Sequence, residues 1–158
     1  KELLVTSGGK KISPVPIEAE ILRSGLVSQA IVVGDGRKFI SALLVPELGV
    51  LAARCRALGI PGDFGARPPG APEAPSANDV LDRPEIRALF AAVIEDCNGR
   101  LARFEQIKKF ALLPEELSIE AGTLTPTLKI RRPAVEEKYR DLIETFYSDH
   151  ATTPSSDP

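Results

Sequence analysis

Apolar residues recur at two different spacings along this chain, and the switches between them mark out the elements. Leu3, Leu4 and Val5 open it as a short strand candidate, followed by SGGKK (7–11), a turn in which paired glycines reach conformations closed to other residues. In SPVPIEAEILRSG, prolines lead, Ile17 and Ile21 lie one turn apart and Gly25 follows, which predicts a short helix. QAIVVGDGRKFISALLVPE reads as an antiparallel hairpin turning on Asp35-Gly36. Leu48, Leu51, Cys55 and Leu58 then share one helical face that Gly59 terminates. Residues 60–83 are rich in proline, glycine, alanine and serine and predict a flexible loop.

Structure resumes at Asp82, whose spacing to Glu85 predicts a capping box with Pro84 in the first turn. Ile86, Leu89, Phe90, Val93, Ile94, Cys97, Leu101 and Phe104 keep helical spacing, with Asn98-Gly99 expected to weaken or bend that helix. IKKFALLPE predicts a strand, and Val135, Tyr139, Leu142, Ile143 and Phe146 predict one final amphipathic helix. The expected architecture is one α+β domain over residues 1–147, a small, mostly antiparallel sheet with helices packed on it, and a disordered tail over 148–158.

Composition narrows the function classes. With 158 residues, 43% of them apolar, the chain supports one ordinary core. Its net charge of −2 provides no global basic field, which argues against a nucleic-acid partner. The absence of a long apolar run or a signal-peptide pattern predicts a soluble, cytoplasmic protein. A start at Lys1 within a strand-like pattern suggests a segment of a longer chain. Cys55 and Cys97 lie far apart and His150 is the single histidine, so no metal-ligand cluster is expected. Reduced thiols are the simpler reading, although the sequence leaves a disulfide open.

Few residues suggest chemistry. SGGKK resembles a phosphate loop only superficially, because the upstream glycine is missing and Lys11 stands where a Ser or Thr would hold magnesium. It remains a turn suited to a looser anion contact. Lys129 is sharper: Thr125-Pro126-Thr127-Leu128 ahead of it cannot be helical across Pro126, and an extended, proline-stiffened segment there would project the lysine from the surface. On charge alone, Lys129, Arg131 and Arg132 read as a solvated basic patch. Glu115, Glu116 and Glu120 have no fixed acid–base geometry, and Ser7, Ser13 and Ser41 have no histidine to activate them. GRLARFEQIKKF mixes bases with aromatics without forming a basic stripe.

Three stretches together change the picture: KELLVTSGGKKISPVPIE, LARFEQIKKFALLPEELSIEAGTLTPTLKIRR and EEKYRDLIETFY. In this order they resemble the C-terminal domain of the AMP-forming long-chain fatty acyl-CoA synthetases, within the acyl-adenylate-forming superfamily. The resemblance runs from Lys1 to Tyr147 apart from the 60–83 loop. It implies a ligase that activates a fatty acid with ATP to acyl-AMP and transfers the acyl group to CoA, with Mg2+ in the full-length enzyme. The small domain would be a lid that rotates between the two half-reactions.

The same resemblance assigns residues. Lys129 matches the adenylation lysine, Lys1 the hinge position, and Gly9 with Lys10 and Lys11 the loop that approaches CoA during thioester formation. The partner is then the protein's own N-terminal ATP and fatty-acid domain, which this chain does not include, so the lid alone is expected to be inactive. Peripheral membrane association of the full-length enzyme is compatible with this picture. Two alternatives stand beside it: the lid of a sister enzyme that loads a carrier protein, and a non-catalytic α+β binding or regulatory domain.

Overall fold

In the central strands, successive side chains face opposite sides of the sheet and both sides are covered. The computed structural model describes residues 2–60 and 81–148. Strands β3 (Val27–Val33) and β4 (Ile40–Pro46) pair antiparallel, and β5 (Ile107–Leu112) adds to β4 in parallel, giving the order β3-β4-β5. A parallel neighbour needs a crossover, and the chain between β4 and β5 contains α2 (Leu48–Leu58) and α3 (Pro84–Asn98). β4 is the central strand and is buried along its whole length, which explains its unbroken apolar run.

Alternation sorts the interior into two layers. Ala30, Val32, Ala42 and Leu44 pack with α1 (Pro14–Leu22), α2 and α3, around Ile21, Leu51, Ile86 and Phe90. Ile31, Val33, Leu43 and Val45 form the other layer, against α4 (Arg132–Lys138) and α5 (Arg140–Phe146) through Val135, Ile143 and Phe146. A separate two-stranded ribbon, β1 (Leu4–Val5) with β2 (Lys11–Ile12), contributes Leu4 and Ile12 to the first layer. The ribbon is held to the β3–β4 turn: Val5 N–H donates to Asp35 Oδ1 at 2.9 Å and Gly36 N–H to Val5 O at 2.8 Å. No helix among the described residues is long and apolar enough to cross a membrane.

The α+β expectation holds, and the departures are local. The strand pairing ends at Val33 and Ser41, so the hairpin connection is longer than two residues. Within it Gly36 has φ 75° whereas Asp35 does not have a positive φ, the signature of a type II turn on the expected Asp35-Gly36 pair. α2 buries Leu51 and Cys55, while Leu48 and Leu58 at its ends are exposed.

The cap expected at Asp82 is absent. Arg83 is the N-cap of α3, with Pro84 as the first helical residue and no side-chain cap bond. Leu81, assigned above to the loop, is buried in the first layer. α3 does not bend at Asn98-Gly99 but ends there: the Asn98 amide donates to Ile107 O at 2.9 Å and accepts Ile107 N–H at 2.8 Å, tying the helix end to β5. The single final helix is two, divided at Tyr139, where φ −109° and ψ 27° leave the helical region. Both cysteines are buried and free, and burial pushes both thiols up. Lys1, most of the 60–83 loop and the tail from 149 onward, with His150, lie outside the described residues.

Candidate functional site

Lys129 stands at the end of a small closed hairpin, not on an extended segment. Leu124 and Ile130 bridge antiparallel, and both pack against the second layer. Thr125 closes the loop from three directions: its N–H donates to Lys129 O at 2.8 Å, its carbonyl accepts Leu128 N–H at 2.8 Å, and its Oγ1 accepts Lys129 N–H at 3.0 Å. Pro126 suits the second position of such a turn, because its fixed φ is the one required. Proline thus stiffens the segment, as expected, by fixing a turn.

Leu128 completes the loop at φ 65°, the one non-glycine residue with positive φ among those described. A three-residue hairpin loop commonly ends in this left-handed conformation, where glycine is the favoured occupant. A leucine there costs about 1–2 kcal/mol. The footing below is polar: the buried Thr123 hydroxyl accepts Ser118 N–H at 2.9 Å, and Arg131 donates to Gly122 O at 3.1 Å. Lys129 is exposed, and none of the ion pairs among the described residues engages it. Its ammonium therefore remains available to an anion.

Arg132, read above as part of a solvated patch, is buried. Its Nη1 donates to Glu18 Oε2 and to Val32 O, each at 2.7 Å, and its Nε and Nη2 donate to Glu2 at 3.1 and 2.8 Å. Glu18 Oε2 also accepts Val32 N–H at 2.8 Å. β3 is an edge strand, and this ion pair satisfies both backbone groups of Val32 in place of a neighbouring strand. The Glu2 and Glu18 bonds hold the Arg132 guanidinium above its ordinary value against the opposing effect of burial. Burial raises Glu18 against the pull of Arg132, whereas hydrogen bonds from Arg132 lower Glu2. The segment that presents Lys129 is thereby joined to α1, to the sheet edge and to the residue following Lys1.

Sequence reasoning missed this network, although a signal was present. Arg132 precedes the apolar Val135 by three residues, one helical turn, and Glu18 follows Ile17 directly and precedes Ile21 by three residues, which places it on their face of the helix.

Gly9, Lys10 and Lys11 occupy the β1–β2 ribbon. Gly9 has φ 87°, Lys10 is exposed with its Nζ 5.4 Å from the Phe104 ring centre, and Lys11 is the first residue of β2. Beside the ribbon is an open cleft of about 420 Å³, where Ser7, Lys38 and Lys109 meet Phe39 and Tyr147. Tyr147 is fixed there: its hydroxyl donates to Phe39 O and accepts from Ser41, both at 3.0 Å, and burial raises its pKa. This cleft was not legible from the sequence, since its residues come from four separate elements and loops. Glu115, Glu116 and Glu120 are exposed, and Glu115 lies 3.9 Å from Lys138.

The structure does not gather these candidates into one pocket. The Lys129 hairpin rests on the α4–α5 layer, whereas the Gly9 ribbon is rooted in the layer on the other face of the sheet.

The chain is similar to known proteins in sequence and in fold. A profile of the AMP-binding enzyme C-terminal domain matches residues 1–56 and 71–151. The long-chain-fatty-acid–CoA ligase FadD15 of Mycobacterium tuberculosis is 33% identical over 152 residues, covering 94% of this chain and 23% of that protein. The long-chain-fatty-acid–CoA ligase ACSBG2 of Gallus gallus is 33% identical over 170 residues, covering 99% and 21%. The chain therefore spans less than a quarter of these relatives. Among solved structures, the A-PCP didomain of carboxylic acid reductase from Segniliparus rugosus, in complex with AMP, has a TM-score of 0.67 at 22% identity, covering 97% of this chain and 18% of that one. The adenylation domain of the carboxylate reductase from Mycobacterium chelonae likewise reaches 0.67 at 21% identity, covering 93% and 19%.

Proposed function

We propose that this chain, which belongs to the AMP-binding enzyme C-terminal domain family, is the mobile lid of an AMP-forming long-chain fatty-acid–CoA ligase. The observation that carries this reading is Lys129, pinned by its backbone on a closed hairpin, with its side chain exposed and outside the ion pairs found among the described residues. In adenylation, a fatty-acid carboxylate attacks the α-phosphorus of ATP and pyrophosphate leaves. Both reactants are anions, so an ammonium between them offsets their repulsion and stabilises the charge developing in the transition state. The hairpin delivers that charge without a loop having to order itself during the reaction.

In the second step the CoA thiol attacks the acyl carbonyl and AMP leaves. Gly9, with no side chain, permits close approach of the ribbon to the pantetheine arm, while Lys10 and Lys11 suit its phosphates. The cleft flanked by Lys38, Lys109, Phe39 and Tyr147 offers further cations and aromatic faces to a nucleotide. The two loops are rooted in opposite layers, and turning the lid would exchange one for the other against the same N-terminal domain. A hinge at Lys1 fits the Arg132 bonds to Glu2, which make the next residue move with the lid. Among the described residues no three His, Cys, Asp or Glu side chains gather as metal ligands.

The test is fatty-acid- and ATP-dependent consumption of free CoA by the whole enzyme. Formation of acyl-CoA with release of AMP supports the ligase. An adenylate formed while free CoA remains untouched assigns the lid to a carrier-loading sister, and no adenylate at all favours a binding domain.

A further inference from the structure

Leu128 combines two unfavourable features beside the candidate adenylation lysine. Among the described residues it is the one non-glycine residue with positive φ and, at 67% exposure, the most exposed large apolar residue. Glycine would relax the backbone here, and asparagine tolerates this conformation better than leucine does. The leucine is also not needed to close the loop, since every bond that does so comes from the backbone or from Thr125. Two-thirds of the residue is left in solvent.

We infer that Leu128 is a positioning residue, an apolar anchor that seats the Lys129 hairpin against the N-terminal domain of the same enzyme in the adenylation pose. This rests on the ligase reading above. The occupant follows from the chain's extent: the relatives that it matches run on for more than three quarters of their length beyond the aligned segment. The lysine can act only when its hairpin meets that remainder. Leu128 and Lys129 are adjacent on a closed turn, so burying the first fixes the base from which the second extends. The left-handed residue closes the turn with its side chain exposed to a facing surface. In the thioester pose, with the other face of the lid engaged, Leu128 has no role.

The experiment uses the whole enzyme with Leu128→Gly, Leu128→Asn and Leu128→Met, and Lys129→Ala as the reference. Fatty-acid-dependent exchange of pyrophosphate into ATP reads the first step, and CoA thioester release from supplied acyl-adenylate reads the second. We expect Gly and Asn to lower exchange by about tenfold or more through its maximal rate, with the KM for ATP little changed. Thioester release should stay within about twofold, and Met should restore exchange by supplying an apolar side chain of similar size. The Gly and Asn proteins should melt no lower than wild type, which separates this loss from unfolding.

Wild-type exchange in Gly and Asn would overturn the inference, as would a Met variant as slow as they are or an equal loss in both half-reactions. If Lys129→Ala itself leaves exchange intact, the lysine assignment fails and the inference falls with it. If Lys129→Ala abolishes exchange while all three Leu128 variants retain it, only the anchor is wrong.

Discussion

Replacing Arg132 with alanine would strand the buried Glu18 carboxylate and leave Val32 O without its donor. Breaking one side of a buried pair costs about 3–5 kcal/mol, so Arg132→Ala should lower the denaturant midpoint sharply, with Arg131→Ala close to wild type as the control. A second expectation concerns acid. Hydrogen bonds from Arg132 hold Glu2 below its ordinary value of 4.5. A carboxylate depressed in the folded state adds stability above its unfolded pKa and loses it as pH falls through the folded one. Below pH about 5 the melting temperature of wild type should therefore fall more steeply than that of Glu2→Gln. Glu18, raised by burial, titrates in the opposite sense in both proteins. At this scale the sequence located Lys129 through its neighbours, yet treated Arg131 and Arg132 alike. Charge does not distinguish them; the helical turn from Arg132 to Val135 does.

Elements were most legible where a hydrophobic face repeated over several turns or along a whole strand. α1, β4, β5 and the body of α3 follow their apolar periodicity, whereas the errors cluster at ends and turns, where tertiary bonds decide. Asn98 ends α3 because β5 offers it a backbone N–H and a carbonyl, which no local pattern reveals. The β3–β4 connection provides a test. At Gly34, with φ 141°, an added Cβ would lie 2.9 Å from both Ile40 Cα and Phe39 O, backbone atoms that cannot swing aside. Gly25, at φ 78°, has open space around it. Urea unfolding should show Gly25→Ala losing about 1 kcal/mol from conformational strain and Gly34→Ala clearly more, because it must also shift β4.

For the whole molecule, the sheet is a partition. One face carries α1, α2, α3 and the Gly9 ribbon, the other carries α4, α5 and the Lys129 hairpin, and Arg132 joins the two around the β3 edge. The α+β class could be read from periodicity, and the family from motif order. The division of the candidate loops between two faces could not, because it depends on which residues of β3 and β4 point each way once they pair. This division is what the proposed lid would use to present one loop at a time.

The most direct test of that claim compares the whole enzyme with its Lys129→Ala variant in the two half-reactions. The account expects fatty-acid-dependent pyrophosphate–ATP exchange to fall by about 10²-fold or more, while thioester release from supplied acyl-adenylate stays near wild type. Equal loss in both steps, or loss in neither, would contradict it.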